Sequence, residues 1–232
     1  MKLQELFIDE GINDPHIFKA VFMAGGPGAG KSYVAQKLLA GTGLKTLNSD
    51  VAFTWLMNKA NLRLDMPDDE KEERDQVRAR AKEITATQED LYLQGRLGLI
   101  IDGTGKDLKK ISVINKMLKD IGYETKMVFV NTDLETALSR NQQRGQEGDR
   151  TVNPEIAKAS WKKVQNNLMA YQQEFGADNF YIVDNSAGEQ TVKQKKDFET
   201  VWKRFRSFLN SKPKRPQAKY WMKQQTSSYG KN

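Results

Sequence analysis

The sequence predicts an α/β fold, with a five-stranded parallel sheet flanked by helices, a helical insertion, a lid loop and a basic C-terminal tail. Three observations lead there. Apolar runs of strand length alternate with stretches of helical period, and crossovers of helical length imply parallel strands. A glycine-rich loop follows the first apolar run directly. Polar residues with chemical potential fall just past strand ends, the edge of such a sheet where ligands bind.

In chain order, residues 1–10 read as a short amphipathic helix with Leu3, Leu6 and Phe7 on one face. Residues 11–15 are a linker, so 1–15 form a leader and linker ahead of a domain spanning 16–210. Strand one covers 17–24. It runs into Gly25-Gly26-Pro27-Gly28-Ala29-Gly30-Lys31-Ser32, which fits the phosphate-loop pattern G-x-x-x-x-G-K-[ST] at every fixed position. A helix over 32–39 follows. Residues 45–48 form a short second strand ending at Ser49-Asp50. The charged stretch 65–95 carries no strand signal and reads as inserted helices. Residues 97–101 form strand three, ending in Asp102-Gly103-Thr104-Gly105. Leu108, Ile111, Ile114, Leu118 and Ile121 repeat at helical spacing, with Gly122 as a C-cap. Strand four covers 126–130 and a helix 133–144. The glycine-containing, charged segment 144–153 is the lid. Pro154 opens a long helix, 180–183 form strand five, and a last helix buries Phe198, Val201, Trp202, Phe205 and Leu209. From Ser211 onward Pro213 and Pro216 are expected to stop regular structure, leaving 211–232 as a flexible tail.

Charge is distributed unevenly. Residues 193–232 carry 12 Lys/Arg against 2 Asp/Glu, whereas residues 1–192 carry 25 against 28, so the whole net charge of +7 comes from the end of the chain. Such a tail suits nucleic acid, an acidic protein surface or an anionic membrane, against the alternative of a solvated end. With no cysteine, disulfides and thiolate metal sites are excluded. No apolar run is long enough to span a bilayer and no secretory signal is visible, so a cytoplasmic location is expected.

The phosphate loop predicts ATP and Mg²⁺. Its N–H groups and the following helix N-terminus attract phosphate, Lys31 reaches the β/γ-phosphates, and the Ser32 hydroxyl ligates the metal. Gly26, Gly28, Ala29, Gly30, Lys31, Ser32, Arg140 and Asn185 are the expected nucleotide contacts. Asp50, past a second strand taken to lie beside the phosphate loop, is the expected general base. The competing role is an N-cap for the next helix. Asp102 ends strand three, where a second carboxylate holds Mg²⁺ or touches substrate; the alternative is a turn residue before Gly103. Arg140, Arg144 and Arg150 flank Gly145 and Gly148, an arrangement that suits a deformable lid placing guanidiniums on transferred phosphate. Arg144 and Arg150 join Lys31 and Asp50 as expected catalytic residues. His16, the one histidine, stands before strand one, which argues against histidine-based acid–base chemistry.

Residues 25–32, Asn48-Ser49-Asp50, residues 99–106, residues 122–127 and the arginine lid resemble the zeta-toxin family of phosphate-loop kinases across residues 17–186. The resemblance implies the P-loop kinase fold and phosphorylation of a small nucleotide-like substrate, a sugar hydroxyl of UDP-N-acetylglucosamine in known members. It implies Asp50 as base and Asp102, Thr104 and Lys106 at the substrate. The family usually has Glu at Asp102 and Arg at Lys106. The core is also similar to polynucleotide 5′-kinases and nucleoside monophosphate kinases. A polynucleotide or nucleotide kinase, or an ATP-binding virion or nucleic-acid-associated protein with little turnover, are thus the competing functions. Residues 1–10 look like the capsid-targeting leader of internal head proteins of tailed phages, which would make the chain a phage head component.

Overall fold

The computed structural model describes residues 12–186 and 192–229. The leader expected over 1–10 lies outside them. Elements run β1 (Lys19–Ala24), α1 (Lys31–Leu39), β2 (Lys45–Leu47), α2 (Ser49–Lys59), α3 (Lys71–Gln94), β3 (Leu99–Asp102), α4 (Leu108–Asp120), β4 (Glu124–Asn131), α5 (Leu134–Gln146), α6 (Pro154–Asn166), α7 (Leu168–Phe175), β5 (Phe180–Asp184), α8 (Val192–Asn210) and α9 (Pro216–Tyr229). Every strand pairing is parallel, in the order β2-β3-β1-β4-β5.

The sheet is covered on both faces, and the side-chain alternation of β1 shows how. Ala20, Phe22 and Ala24 join a core with Leu99, Met127, Phe129, Leu118 and Tyr171, beneath α4, α6 and α7. Val21 and Met23 join the other, with Val34, Leu38, Val128, Val201 and Phe205, beneath α1 and α8. A third, small core of Phe53, Met57, Leu62 and Ala81 holds α2 against the inserted α3. Side chains cap the helices that matter for the site. Asn48 accepts from the Asp50 N–H at 2.8 Å, Asp133 from the Thr136 N–H at 2.7 Å, and Asn153 caps α6 behind Pro154.

Five sequence expectations need correction. Trp202, expected to be buried, stands on the exposed side of α8, where Arg206 lies over its ring. Strand β2 pairs with β3, not with the phosphate-loop strand, so one strand separates them. The lid is shorter than 144–153, because α5 continues through Gln146 and carries Arg144 and Gly145 in helix. The single long helix after Pro154 is two, α6 and α7, broken at Asn167. The tail is regular from Pro216. A proline can open a helix because its first N–H has no intrahelical partner, and α9 docks on the first core through buried Ala218 and half-buried Trp221 and Met222. Trp221 meets Phe18 edge-on with ring centroids 5.5 Å apart.

Candidate active site

At the carboxyl end of β1 the chain turns through the phosphate loop into α1. Gly28 and Gly30 have φ of +77° and +81°, a region L side chains avoid. Space forbids a side chain as well: a Cβ on Gly28 would stand 2.0 Å from the Ala137 carbonyl oxygen, and one on Gly30 2.1 Å from Asn185 Nδ2. The loop is braced from below. The Ala29 carbonyl accepts from Asn185 Nδ2 at 2.8 Å and from Thr132 Oγ1 at 3.1 Å, and Trp161 donates to the Thr132 carbonyl at 2.7 Å. The Gly25 N–H donates to the Thr104 carbonyl, joining the loop to the corner after β3.

A cleft of about 530 Å³ opens above the loop. It is lined by Gly26, Gly28, Gly30, Lys31, Ser32, Asp50, Thr104, Arg140, Arg144 and Arg150, so residues scattered over 125 positions of sequence meet in one hollow. Lys31 Nζ donates to the Gly25 carbonyl at 2.9 Å. Burial pushes its pKa down, against the opposing pull of the Asp102 charge. Glu147 and Asp149 bring two lid carboxylates to the cleft that sequence reading did not single out.

Asp50 sits in the first turn of α2. The capping role weighed for it belongs to Asn48, which leaves the Asp50 carboxylate free for other partners. Arg78 of α3 holds Oδ1 at 2.6 Å, and Arg150 holds Oδ2 at 2.9 Å. Both guanidiniums lie over the buried Phe53 ring, 4.4 and 5.5 Å from its centroid. Burial raises the Asp50 carboxyl, but the hydrogen bonds and charges of Arg150 and Arg78 outweigh it, and the net shift is downward. Asp102 is the opposite case. Asn48 Nδ2 donates to its Oδ2 at 2.6 Å, while Oδ1 is buried with no protein partner. Burial pushes its carboxyl up, more than Lys31 and the Asn48 bond pull it down. One asparagine therefore caps α2 beneath Asp50 and orients Asp102.

Asn185 spends its amide on the loop backbone, and its carbonyl accepts from Arg140 at 2.8 Å, so it braces the loop from behind. Lys106 does not line the phosphate-loop cleft. It borders a separate hollow of about 500 Å³ with Asp107, Ile156 and Lys163, between the start of α4 and α6. The partnership of Arg78 with Asp50 and the double role of Asn48 were not read from the sequence. Asn48 had a visible signal, since Asn before a helix start is a preferred N-cap. Arg78 had none, being one charge among many on a charged helix.

A parallel sheet with this loop, an acid past β2, an acid ending β3 and an arginine lid defines the P-loop kinase fold. A family model described as an AAA domain matches residues 21–169, and the chain belongs to that family. Three solved structures have similar folds. A provisionally assigned kinase from Chloroflexus aurantiacus superposes with a TM-score of 0.56 at 16% identity, over 82% of this chain and 97% of that one. The AvrRxo1-ORF1:-ORF2 complex with ATP gives 0.58 at 16% identity, over 86% and 71%. The PezAT chromosomal toxin–antitoxin system of Streptococcus pneumoniae gives 0.51 at 15% identity, over 88% and 96%. At these identities the likeness is one of fold. No curated protein sequence matches the chain. Among the described residues no helix is long and apolar enough to cross a membrane.

Proposed function

We propose that the chain is an ATP-dependent phosphotransferase that moves the γ-phosphate to a hydroxyl of a small, nucleotide-like molecule. The observation that carries this reading is the convergence of Lys31, Asp50, Arg144 and Arg150 on one cleft above a phosphate loop. The loop N–H groups and the N-terminus of α1 bind the β- and γ-phosphates, with Gly26, Gly28, Ala29 and Gly30 allowing the backbone its close approach. Lys31 and the Arg140, Arg144 and Arg150 guanidiniums balance charge on the transferred group. Asp50 accepts the acceptor's hydroxyl proton. The acceptor oxygen bonds to the γ-phosphorus as the bond from that phosphorus to the β-phosphate oxygen breaks, and ADP leaves.

Ser32 and Asp102 would hold Mg²⁺. The Asp102 oxygen without a protein partner fits that role, directly or through water. Among the described residues no group of three or more His, Cys, Asp or Glu could hold a metal alone, so the phosphates would complete the coordination. Held there, the metal would supply positive charge against the phosphates. Thr104 faces the same cleft and contacts the acceptor in this reading. A UDP-sugar is the acceptor that the zeta-toxin resemblance favours; Lys106 would reach it only if the acceptor extends toward α6.

Asp50 gripped by two guanidiniums is a weak base. Transfer of Arg150 from Asp50 to the γ-phosphate would free one oxygen and raise its proton affinity, coupling activation of the base to ATP binding. The test is transfer of labelled γ-phosphate from ATP to sugar nucleotides, nucleosides, nucleotides and 5′-hydroxyl DNA. Lys31→Ala should abolish transfer. Asp50→Asn should lower turnover about 10²–10⁴-fold with ATP affinity little changed. Arg78→Ala should move the acid limb of the kcat profile to higher pH, because Asp50 must be ionised to act and loses a partner that holds its pKa down. Normal transfer by Lys31→Ala would overturn the assignment.

A further inference from the structure

The edge of the sheet opposite the nucleotide cleft holds a second built hollow, of about 460 Å³. It lies at the start of β4, and eight strand residues, about 25 Å at the usual rise, separate that end from the phosphate-loop end. Five cations from four segments converge on it: Lys119 at the end of α4, Lys126 of β4, Arg204 of α8, and Lys214 and Arg215 of the connection to α9. One carboxylate, Glu124, lines it, and that group is already ion-paired with the buried Lys19.

Lys126 is held by neutral groups. Lys126 Nζ donates to the Asp178 carbonyl at 2.8 Å, Asn179 Oδ1 at 3.2 Å and the Tyr181 hydroxyl at 2.8 Å, all neutral. Its ammonium also stands 5.0 and 5.1 Å from the Tyr181 and Phe208 ring centroids. It therefore supplies fixed charge and has no spare donor. Arg215 uses one N–H on the Lys119 carbonyl at 3.4 Å. Among the described residues, no hydrogen bond takes its remaining donors, and no acid pairs with Arg204 or Lys214. Burial lowers the Lys119 pKa; the Glu174 charge opposes that shift, and the smaller effect of Arg215 adds to it. Like charges gathered in one concavity favour an anion that lies among them.

We propose that this hollow is a binding site for a phosphate-bearing anion, separate from the nucleotide cleft. Phosphate suits the donor set, since guanidiniums pair with its oxygens in a bidentate fork and ammoniums add point charge. The phosphates can belong to a small polyphosphate or to a nucleic-acid strand crossing the basic face of α8 and α9, and the two sources are separable.

The experiment uses the full chain and two probes. By calorimetry, pyrophosphate should bind the wild type at two sites. Lys31→Ala should lose the phosphate-loop site. Arg204→Glu with Lys214→Glu should lose the other, by about tenfold or more in affinity, with phosphotransfer unchanged. Arg204→Gln with Lys214→Gln should show a smaller loss of the same sign, which guards against a folding defect in the reversed pair. A single-stranded oligonucleotide, titrated at several salt concentrations, identifies the source. A strand occupying the hollow would lose about 1.4 from its log–log salt slope in the Glu pair, at ~0.7 per phosphate contact, whereas a small-anion site would leave the oligonucleotide slope unchanged while losing pyrophosphate. If the Glu pair binds both probes as the wild type does, the proposal is overturned.

Discussion

At the scale of single residues, the site contrasts two carboxylates a strand apart. Asp50 is over-partnered and Asp102 under-partnered, and their pKa shifts run in opposite directions. For Asp102 the folded value is raised, chiefly by burial. The folded state then binds the proton more tightly than the unfolded chain does. That favourable contribution is complete below the unfolded pKa and is lost as pH rises through the raised folded one. At neutral pH the ionised, half-satisfied group is a net cost. Asp102→Asn should therefore raise thermal stability at pH 7, by the ~0.5–2 kcal/mol usual for a single stabilising change. The gain should shrink in acid, and activity should fall if Asp102 holds the metal. Calorimetric melting across pH checks this. A lower melting temperature at pH 7 would mean that attraction to Lys31 outweighs desolvation.

At the scale of elements, the lid is pinned at its far end. The buried Asn141 of α5 donates to the Val152 carbonyl at 2.6 Å and accepts from the Val152 N–H at 3.1 Å, closing residues 147–153 into a loop across the end of its own helix. Gly145 was expected to make the lid deformable. Instead it lies in helix and admits Thr151, whose Cγ2 would be 2.5 Å from an added Cβ. Gly148, at φ +80°, makes the turn. Asn141→Ala would leave the core intact and free the segment that carries Arg150. The expected result is a fall in kcat larger than the rise in KM for ATP, with faster amide exchange over 147–153. Equal kinetics and unchanged exchange would show that the lid is held by its other contacts, among them Arg150 with Asp50 and the Asp149 N–H on the Arg144 carbonyl.

At the scale of the whole molecule, the C-terminal helix completes the fold. Gly122, which reads in sequence as a C-cap, also lets α9 approach, for an added Cβ would stand 2.7 Å from the Ala218 nitrogen. Lys19 is wholly buried where its ammonium meets Glu124 and donates to Ser211 Oγ at 2.9 Å, tying the first strand to the entry of the last helix. The sequence alone reads 211–232 as a flexible tail outside the domain, dispensable for its packing. The packing predicts the reverse: removing 211–232 exposes Phe18 and takes the Ser211 hydroxyl from the buried Lys19 ammonium. Trp221→Ala alone should cost about 2 kcal/mol, somewhat below the range for fully buried aromatics, or roughly 4–8 °C in melting temperature for a chain of this size. A truncated chain that melts with the full-length protein would show that α9 contributes nothing to stability.

The sequence by itself determined the sheet, the order of its elements and the nucleotide loop, because these are local: strand and helix differ in apolar period, and the phosphate loop needs its glycines and lysine at adjacent positions. It also placed Asp50, Asp102 and Asn185 at the edge of the phosphate loop, since each follows a strand end and parallel strands share a direction. Only the tertiary structure decided which strands are neighbours, who caps α2, and that Arg78, from an inserted helix with no distinguishing pattern, reaches Asp50. It decided too that a polar tail after two prolines closes the core. Those outcomes depend on contacts between residues far apart in the chain, where the free energy of burying Trp221 or pairing Asp50 exists only once the partner surface has formed.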